Sequence, residues 1–157
     1  LRLVKKLSHP DANFYIHIDK KSALEDFSVL HQVENVFFVQ ERVAVHWGSY
    51  SVVQATINGF KQILQSSRTY DYINLLSAQD YPLKSTTYIH QFFEYNKEKA
   101  FMQCLSVYKE WHEAIPRLTK YHLVNYHFPG KYTIEKIVNS LLPKRKMPNN
   151  LVPMGRS

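Results

Sequence analysis

Two carboxylates stand where apolar runs stop, which makes them the first candidates for chemistry. Asp80 follows residues 70–76, a short apolar run with polar residues on both sides that reads as a buried strand. Pro82 fixes its own φ and biases Tyr81 toward extended backbone, so the turn Ser77-Ala78-Gln79-Asp80-Tyr81-Pro82 is stiff and aims the Asp80 carboxylate one way. A carboxylate so held can orient a hydroxyl or a catalytic group. It can equally cap the amides of its own turn, a common use of aspartate. Asp19 closes the run 13–19, in which Phe14, Ile16 and Ile18 alternate with Tyr15, His17 and Asp19. Lys20 and Lys21 follow it, giving an acid beside two cations that suits either a ligand-binding strand end or a solvated one.

The third candidate is Trp47-Gly48-Ser49, where an aromatic, a glycine and a capping residue adjoin. Gly48 lies where a strand would pass into a helix. Glycine there lets a ligand approach the backbone, and a helix N-terminus favours negative charge. The plainer reading makes Trp47 a core aromatic and Gly48 a turn residue. His112, His122 and His127 are spaced too irregularly for a helical i, i+4 metal pair, and the only cysteine, Cys104, reads as a small buried hydrophobe in the apolar run 100–105.

Elements that could position these residues follow from periodicity. Residues 1–7 suit the end of a helix and 27–33 a short weak one. Residues 36–39 read as a second buried strand, rich in the β-branched and aromatic residues such a place prefers. Ser51-Val52-Val53-Gln54 has capping-box spacing, and Val52, Ala55, Phe60, Ile63 and Leu64 recur at helical intervals to about Ser66. Ser85 reads as the N-cap of a helix carrying Ile89, Phe92 and Phe93. Residues 100–105 read as a fourth strand, and 133–142 as an amphipathic helix stopped by Pro143. Strands alternating with helices predict an α/β fold with a mostly parallel sheet, in one domain over residues 1–157. In such sheets ligands bind beyond the carboxyl ends of the strands, so Asp19, Asp80 and the Trp47-Gly48 loop are expected to converge on one crevice.

Composition narrows the function. The 157 residues are 45% hydrophobic, enough for a core, and the net charge of +7 implies an anionic partner. Only Lys144-Arg145-Lys146 is a dense basic run, and it reads as a solvated loop. With glycines at 48, 59, 130 and 155 there is no G-x-G-x-x-G and no G-x-x-x-x-G-K-[ST], which argues against dehydrogenases and P-loop ATPases. A G-x-S-x-G elbow is missing too, as is the Asp-x-Asp clamp that holds a divalent metal in many sugar-nucleotide enzymes. No stretch is apolar enough for a membrane span and no signal peptide is evident, so the expected location is cytoplasmic, with peripheral association to an anionic membrane allowed by the charge. The chain starts without Met and reads as a piece of a longer protein.

Three motifs in order, 14–22 (FYIHIDKKS), 42–51 (RVAVHWGSYS) and 75–83 (LLSAQDYPL), resemble the core-2/I-branching glycosyltransferase family, which includes peptide O-xylosyltransferases. The resemblance covers roughly residues 10–95. It implies a GT-A-like fold, incomplete here at both ends, and inverting transfer of N-acetylglucosamine or xylose from a UDP-sugar to a glycan or lipid-linked glycan acceptor, without a metal or other cofactor. It implies that Asp19 and Lys21 serve the donor, with Asp19 contacting its nucleoside. Trp47 and Gly48 become part of the donor-site wall, and Asp80 an acid in the active-site crevice. The family's glutamate base would lie beyond Ser157, and Gly155-Arg156-Ser157 resembles the start of a further family segment. Such a transfer needs a base for the acceptor hydroxyl and positive charge for the departing diphosphate, which without a metal must come from Lys and Arg. The single cysteine favours a bacterial-type enzyme of surface polysaccharide synthesis. The rival reading is a non-catalytic nucleotide or nucleic-acid binding module using the basic surface and aromatics. The aromatics, however, lie mainly in apolar runs, and no nucleic acid is expected as partner.

Overall fold

The computed structural model describes residues 1–126, 128–147 and 151–155; His127, Arg156 and Ser157 lie outside them. The chain divides into two compact units, Leu1–Lys99 and Ala100–Ser157.

In the first unit, β1 (Phe14–Ile16) and β2 (Val36–Phe38) pair in parallel with Tyr15 opposite Phe37. The ladder is prolonged by Phe14 N–H donating to Asn35 O at 2.8 Å and Val39 N–H to Ile16 O at 2.9 Å. Asn35 enters β2 at φ +62, a left-handed conformation that Asn tolerates better than most residues. A 3₁₀ segment, Glu25–Gln32, connects the two strands. The core forms around Val39, 2% exposed, with Ile18, Leu30 and Ala55. Burying a side chain such as Val39 contributes about 2 kcal/mol.

The helix α2 (Tyr50–Gln65) begins at Ser49, not at Ser51, because the Ser49 hydroxyl accepts the Ser51 N–H at 3.2 Å. Its fixing to β2 is largely polar. Asn58, 6% exposed, donates to Glu41 O at 2.8 Å, while Gln62 donates to Phe38 O at 2.9 Å and accepts from Gln40 N–H at 2.8 Å. With Gln54, which donates to Asn58 Oδ1 at 2.7 Å, these residues form an i, i+4, i+8 row that satisfies carbonyls at the end of β2. Short α1 (Arg2–Leu7) is tied to α3 (Thr86–Tyr95) by Thr86 Oγ1 donating to Lys6 O at 2.8 Å. Ser85 caps α3 as its sequence predicts, accepting from Tyr88 N–H.

Residues 70–76 correct the sequence reading. They form no strand, and Ile73, Leu75 and Leu76 are exposed. A strand needs a neighbour's backbone, and this run is instead held by side chains: Tyr70 shares a 3.0 Å hydrogen bond with Tyr15, and Tyr72 packs on Phe93 and donates to Asn96 O.

The second unit has a small antiparallel pair, β3 (Leu105–Ser106) with β4 (Met154–Gly155). The expected strand over 100–105 shrinks to its last residue, and Cys104 is exposed, not buried. The short pairing leaves residues 100–104 without a ladder to order them. Among the described residues the sheets are thus two separate pairs, one parallel and one antiparallel. Val107 and Ala114 are buried beside the 3₁₀ turn His112–Ala114 and α4 (Ile115–Thr119), and the Arg117 guanidinium lies over the Trp111 ring at 5.3 Å. The helix α5 (Lys131–Leu141) follows Gly130, whose φ of +79 is the left-handed turn into it.

Candidate functional site

Beyond the last ladder bond of β1 and β2 the two chains stay together, now joined partly through side chains. Lys20 N–H donates to Val43 O at 3.0 Å, and Val43 N–H donates to His17 Nε2 at 3.1 Å. Asp19 is the pivot. Its Oδ1 accepts from Lys21 N–H at 2.9 Å and from Val45 N–H at 3.3 Å, and its Oδ2 lies 3.4 Å from Lys21 Nζ. The same ammonium donates to Val45 O at 2.6 Å, so Lys21 closes a ring between the two strand ends. Arg42 braces the loop from below, donating to Ile18 O at 3.0 Å, Asp19 O at 2.8 Å and Ser22 O at 2.5 Å.

The electrostatics follow from these partners. Partial burial pushes the Asp19 carboxyl up, but the Lys21 and Val45 amides with the Lys21 ammonium outweigh it and hold the group below the usual carboxylate range. Burial lowers the pKa of His17 and the Arg42 charge adds to this, against the opposing pull of Asp19. Neutral His17 then accepts the Val43 N–H through Nε2, which puts its own proton on Nδ1.

From Val45 the chain turns through His46, Trp47 and Gly48 into α2. Ser51 fixes that turn by accepting His46 N–H at 2.8 Å and sharing a 2.6 Å hydrogen bond with Ser49. Gly48 takes φ +73, and a Cβ added there would meet nothing within 4 Å, so the constraint is the backbone conformation and not space. Trp47 is 95% exposed, which removes its reading as a core aromatic. An ionised carboxylate, the ammonium paired with it and an uncovered indole therefore come from 19–21 and 45–48 beyond the carboxyl end of a parallel strand pair. Such a set can accept an amide or hydroxyl proton, offset negative charge and stack on a flat ring.

Asp80 stands apart from this set. Its Oδ2 accepts Ser77 N–H at 2.6 Å and its own N–H donates to Ser77 O, the turn-capping use of aspartate. Among the described residues no hydrogen bond or ion pair links it to Asp19, Lys21, Trp47 or Gly48, and the strand expected to present it is not formed. Of the residues expected to converge, Asp19 is joined with Lys21 to Val45, two residues before Trp47. Sequence reasoning missed Arg42, His17, Asn58 and Gln62. His122 pairs with Glu135 at 3.4 Å, and His112 Nε2 lies 2.9 Å from Tyr108 O. No group of three His, Cys, Asp or Glu side chains suited to a metal is found among the described residues.

A parallel strand pair packed with helices, its carboxyl ends carrying a braced acid, a cation and an aromatic turn, makes this an α/β protein whose strand ends lie where ligands bind in open α/β sheets. A family model for the core-2/I-branching enzyme matches residues 1–144, and the chain belongs to that family. It is 30% identical over 105 residues to a xylosyltransferase of Ciona intestinalis, and 30% and 31% identical over 106 residues to xylosyltransferase 2 of Rattus norvegicus and of Mus musculus. Each match covers 65% of this chain but 12% of the relative.

Proposed function

We propose that this chain carries the donor-binding part of an inverting glycosyltransferase that moves xylose or N-acetylglucosamine from a UDP-sugar to a glycan hydroxyl. The observation behind it is the Asp19 carboxylate, kept ionised by two amides and Lys21 at the carboxyl end of β1, with Oδ2 facing only the Lys21 ammonium among the contacts described, so that a ligand donor can share it. A uracil imide or a ribose hydroxyl is such a donor, and the exposed Trp47 indole is suited to a flat ring or a sugar face. Lys21 supplies positive charge near the leaving diphosphate, a role that falls to cations where no metal serves. The family, and relatives named as xylosyltransferases, support transfer of a sugar over other nucleotide chemistry.

Asp80 is assigned to the same reaction as an orienting acid, its turn with Ser77 being compatible with one oxygen directed outward. The absent Asp-x-Asp pair supports turnover without a divalent cation. The test is UDP release by the full-length protein from UDP-xylose and UDP-N-acetylglucosamine with a glycan acceptor, with and without EDTA. Release from either donor that survives the chelator fits the proposal. A protein that binds single-stranded RNA in a salt-dependent way and shows no affinity for UDP would overturn it.

A further inference from the structure

The helix α5 is oriented contrary to its own pattern. Ile134, Ile137, Val138 and Leu141 recur at i, i+3, i+4 and i+7, the stripe that a helix in a folded unit normally turns inward. Here the residues that hold it in place are polar. Asn139 donates to Tyr121 O and accepts Tyr121 N–H, both at 2.8 Å, while Glu135 accepts Leu123 N–H at 3.0 Å and pairs with His122. The stripe is left outside: Ile134 is 45% exposed, Ile137 52% and Leu141 78%, with Tyr132 and Leu142 also uncovered.

The charge around it is one-sided. Residues 100–157 hold nine Lys and Arg against three Asp and Glu, whereas residues 1–99 hold eleven against ten. Of those three acids, Glu110 accepts Ser106 N–H, and Glu135 is turned to the 121–123 loop and feels the Lys131 charge at the start of α5. Lys144, Arg145 and Lys146 follow the helix directly and are exposed, with Arg145 anchored by its N–H to Thr119 O at 2.9 Å. Among the described residues no carboxylate pairs with them.

We infer that α5 and residues 144–146 form a docking surface for an anionic lipid bilayer. The apolar stripe enters the boundary between headgroups and acyl chains, and the basic run meets lipid phosphates. An apolar helix face beside an unneutralised basic run matches that surface in both chemistry and charge. Glu135, the one acid on the helix, is directed away from it. The inference is independent of the donor site, since lipid binding is read without turnover.

The test uses the whole chain with vesicles of phosphatidylcholine alone or of phosphatidylcholine mixed with phosphatidylserine, the anionic lipid that attracts basic segments. Expected is co-sedimentation with the anionic vesicles alone, weakened about fivefold for each cation removed in Lys144→Gln and Lys146→Gln. Ile137→Trp adds a reporter on the stripe. Its emission, taken as the difference from the parent, should be that of exposed indole in buffer and shift to the blue on anionic vesicles. Three results overturn the inference: no preference for anionic lipid, a blue-shifted indole before lipid is added, or retention on poly(U) equal to that on vesicles and unaffected by Leu141→Asp. The second would mean that protein covers the stripe, and the third that the partner reads charge alone.

Discussion

Replacing Arg42 by methionine keeps an unbranched stem of similar reach and removes the guanidinium that holds the 18–22 loop. Three carbonyl oxygens, at Ile18, Asp19 and Ser22, lose a charged donor. A hydrogen bond to a charged group is worth about 1.5–3 kcal/mol, but these three are only part-buried, so the expected total loss is about 2–4 kcal/mol. For a chain of 157 residues this corresponds to a fall in Tm of roughly 5–15 °C. Arg42→Lys should recover less than half, since a compact ammonium cannot span three carbonyls fixed in different directions. Thermal and urea unfolding give the total. Hydrogen exchange locates it, because Lys20 N–H and Val45 N–H depend on the same loop and should lose protection together. A Tm within 2 °C of the parent, or a destabilised variant in which both amides stay protected, would refute the brace.

Asn58→Leu keeps the branched shape, with somewhat more bulk, but strands Glu41 O and the Gln54 amide, and should cost about 1–3 kcal/mol in urea unfolding; a neutral result would mean that water serves those groups as well as Asn58 does. Because burial lowers the folded pKa of His17, its contribution to stability is complete above the ordinary histidine value of 6.5 and declines as pH falls through that value toward the folded one. His17→Gln should therefore flatten the unfolding midpoint between pH 7 and 5 relative to the parent, and parallel curves would remove His17 from the strand-end network. Asp80→Asn retains an acceptor for Ser77 N–H, so Tm should stay within a few degrees while kcat/KM of the full-length protein drops at least about tenfold. Parental kinetics in that variant would assign Asp80 to its turn alone.

What the sequence revealed divides along a physical line. Features fixed by neighbours in the chain were legible: α2 to within two residues, Ser85 as a cap, β1 and β2 from alternation and β-branching, and the Asp19-Lys21 strand end. Features fixed by distant partners were not. Residues 70–76 have a strand's composition but no backbone beside them to pair with, and Asp80 lost its expected position with that strand. Periodicity gave α5 an apolar stripe without saying which side faces outward, because Glu135 and Asn139 find their partners in the 121–123 loop. Arg42 and Asn58 were invisible as site residues for the same reason: their acceptors are main-chain carbonyls, and no sequence pattern marks a carbonyl left unpaired by a strand end.

The central claim is that the Asp19 strand end receives a nucleotide sugar, and a calorimetric titration of UDP into the parent and Asp19→Asn tests it most directly. The asparagine keeps one acceptor for the Lys21 and Val45 amides, and circular dichroism can verify that the fold persists. UDP affinity should fall by about 1–3 kcal/mol, roughly five- to 150-fold, the cost of leaving a donor of the ligand poorly matched. An unchanged affinity in the folded variant, or a parent that does not bind UDP at all, would contradict the account.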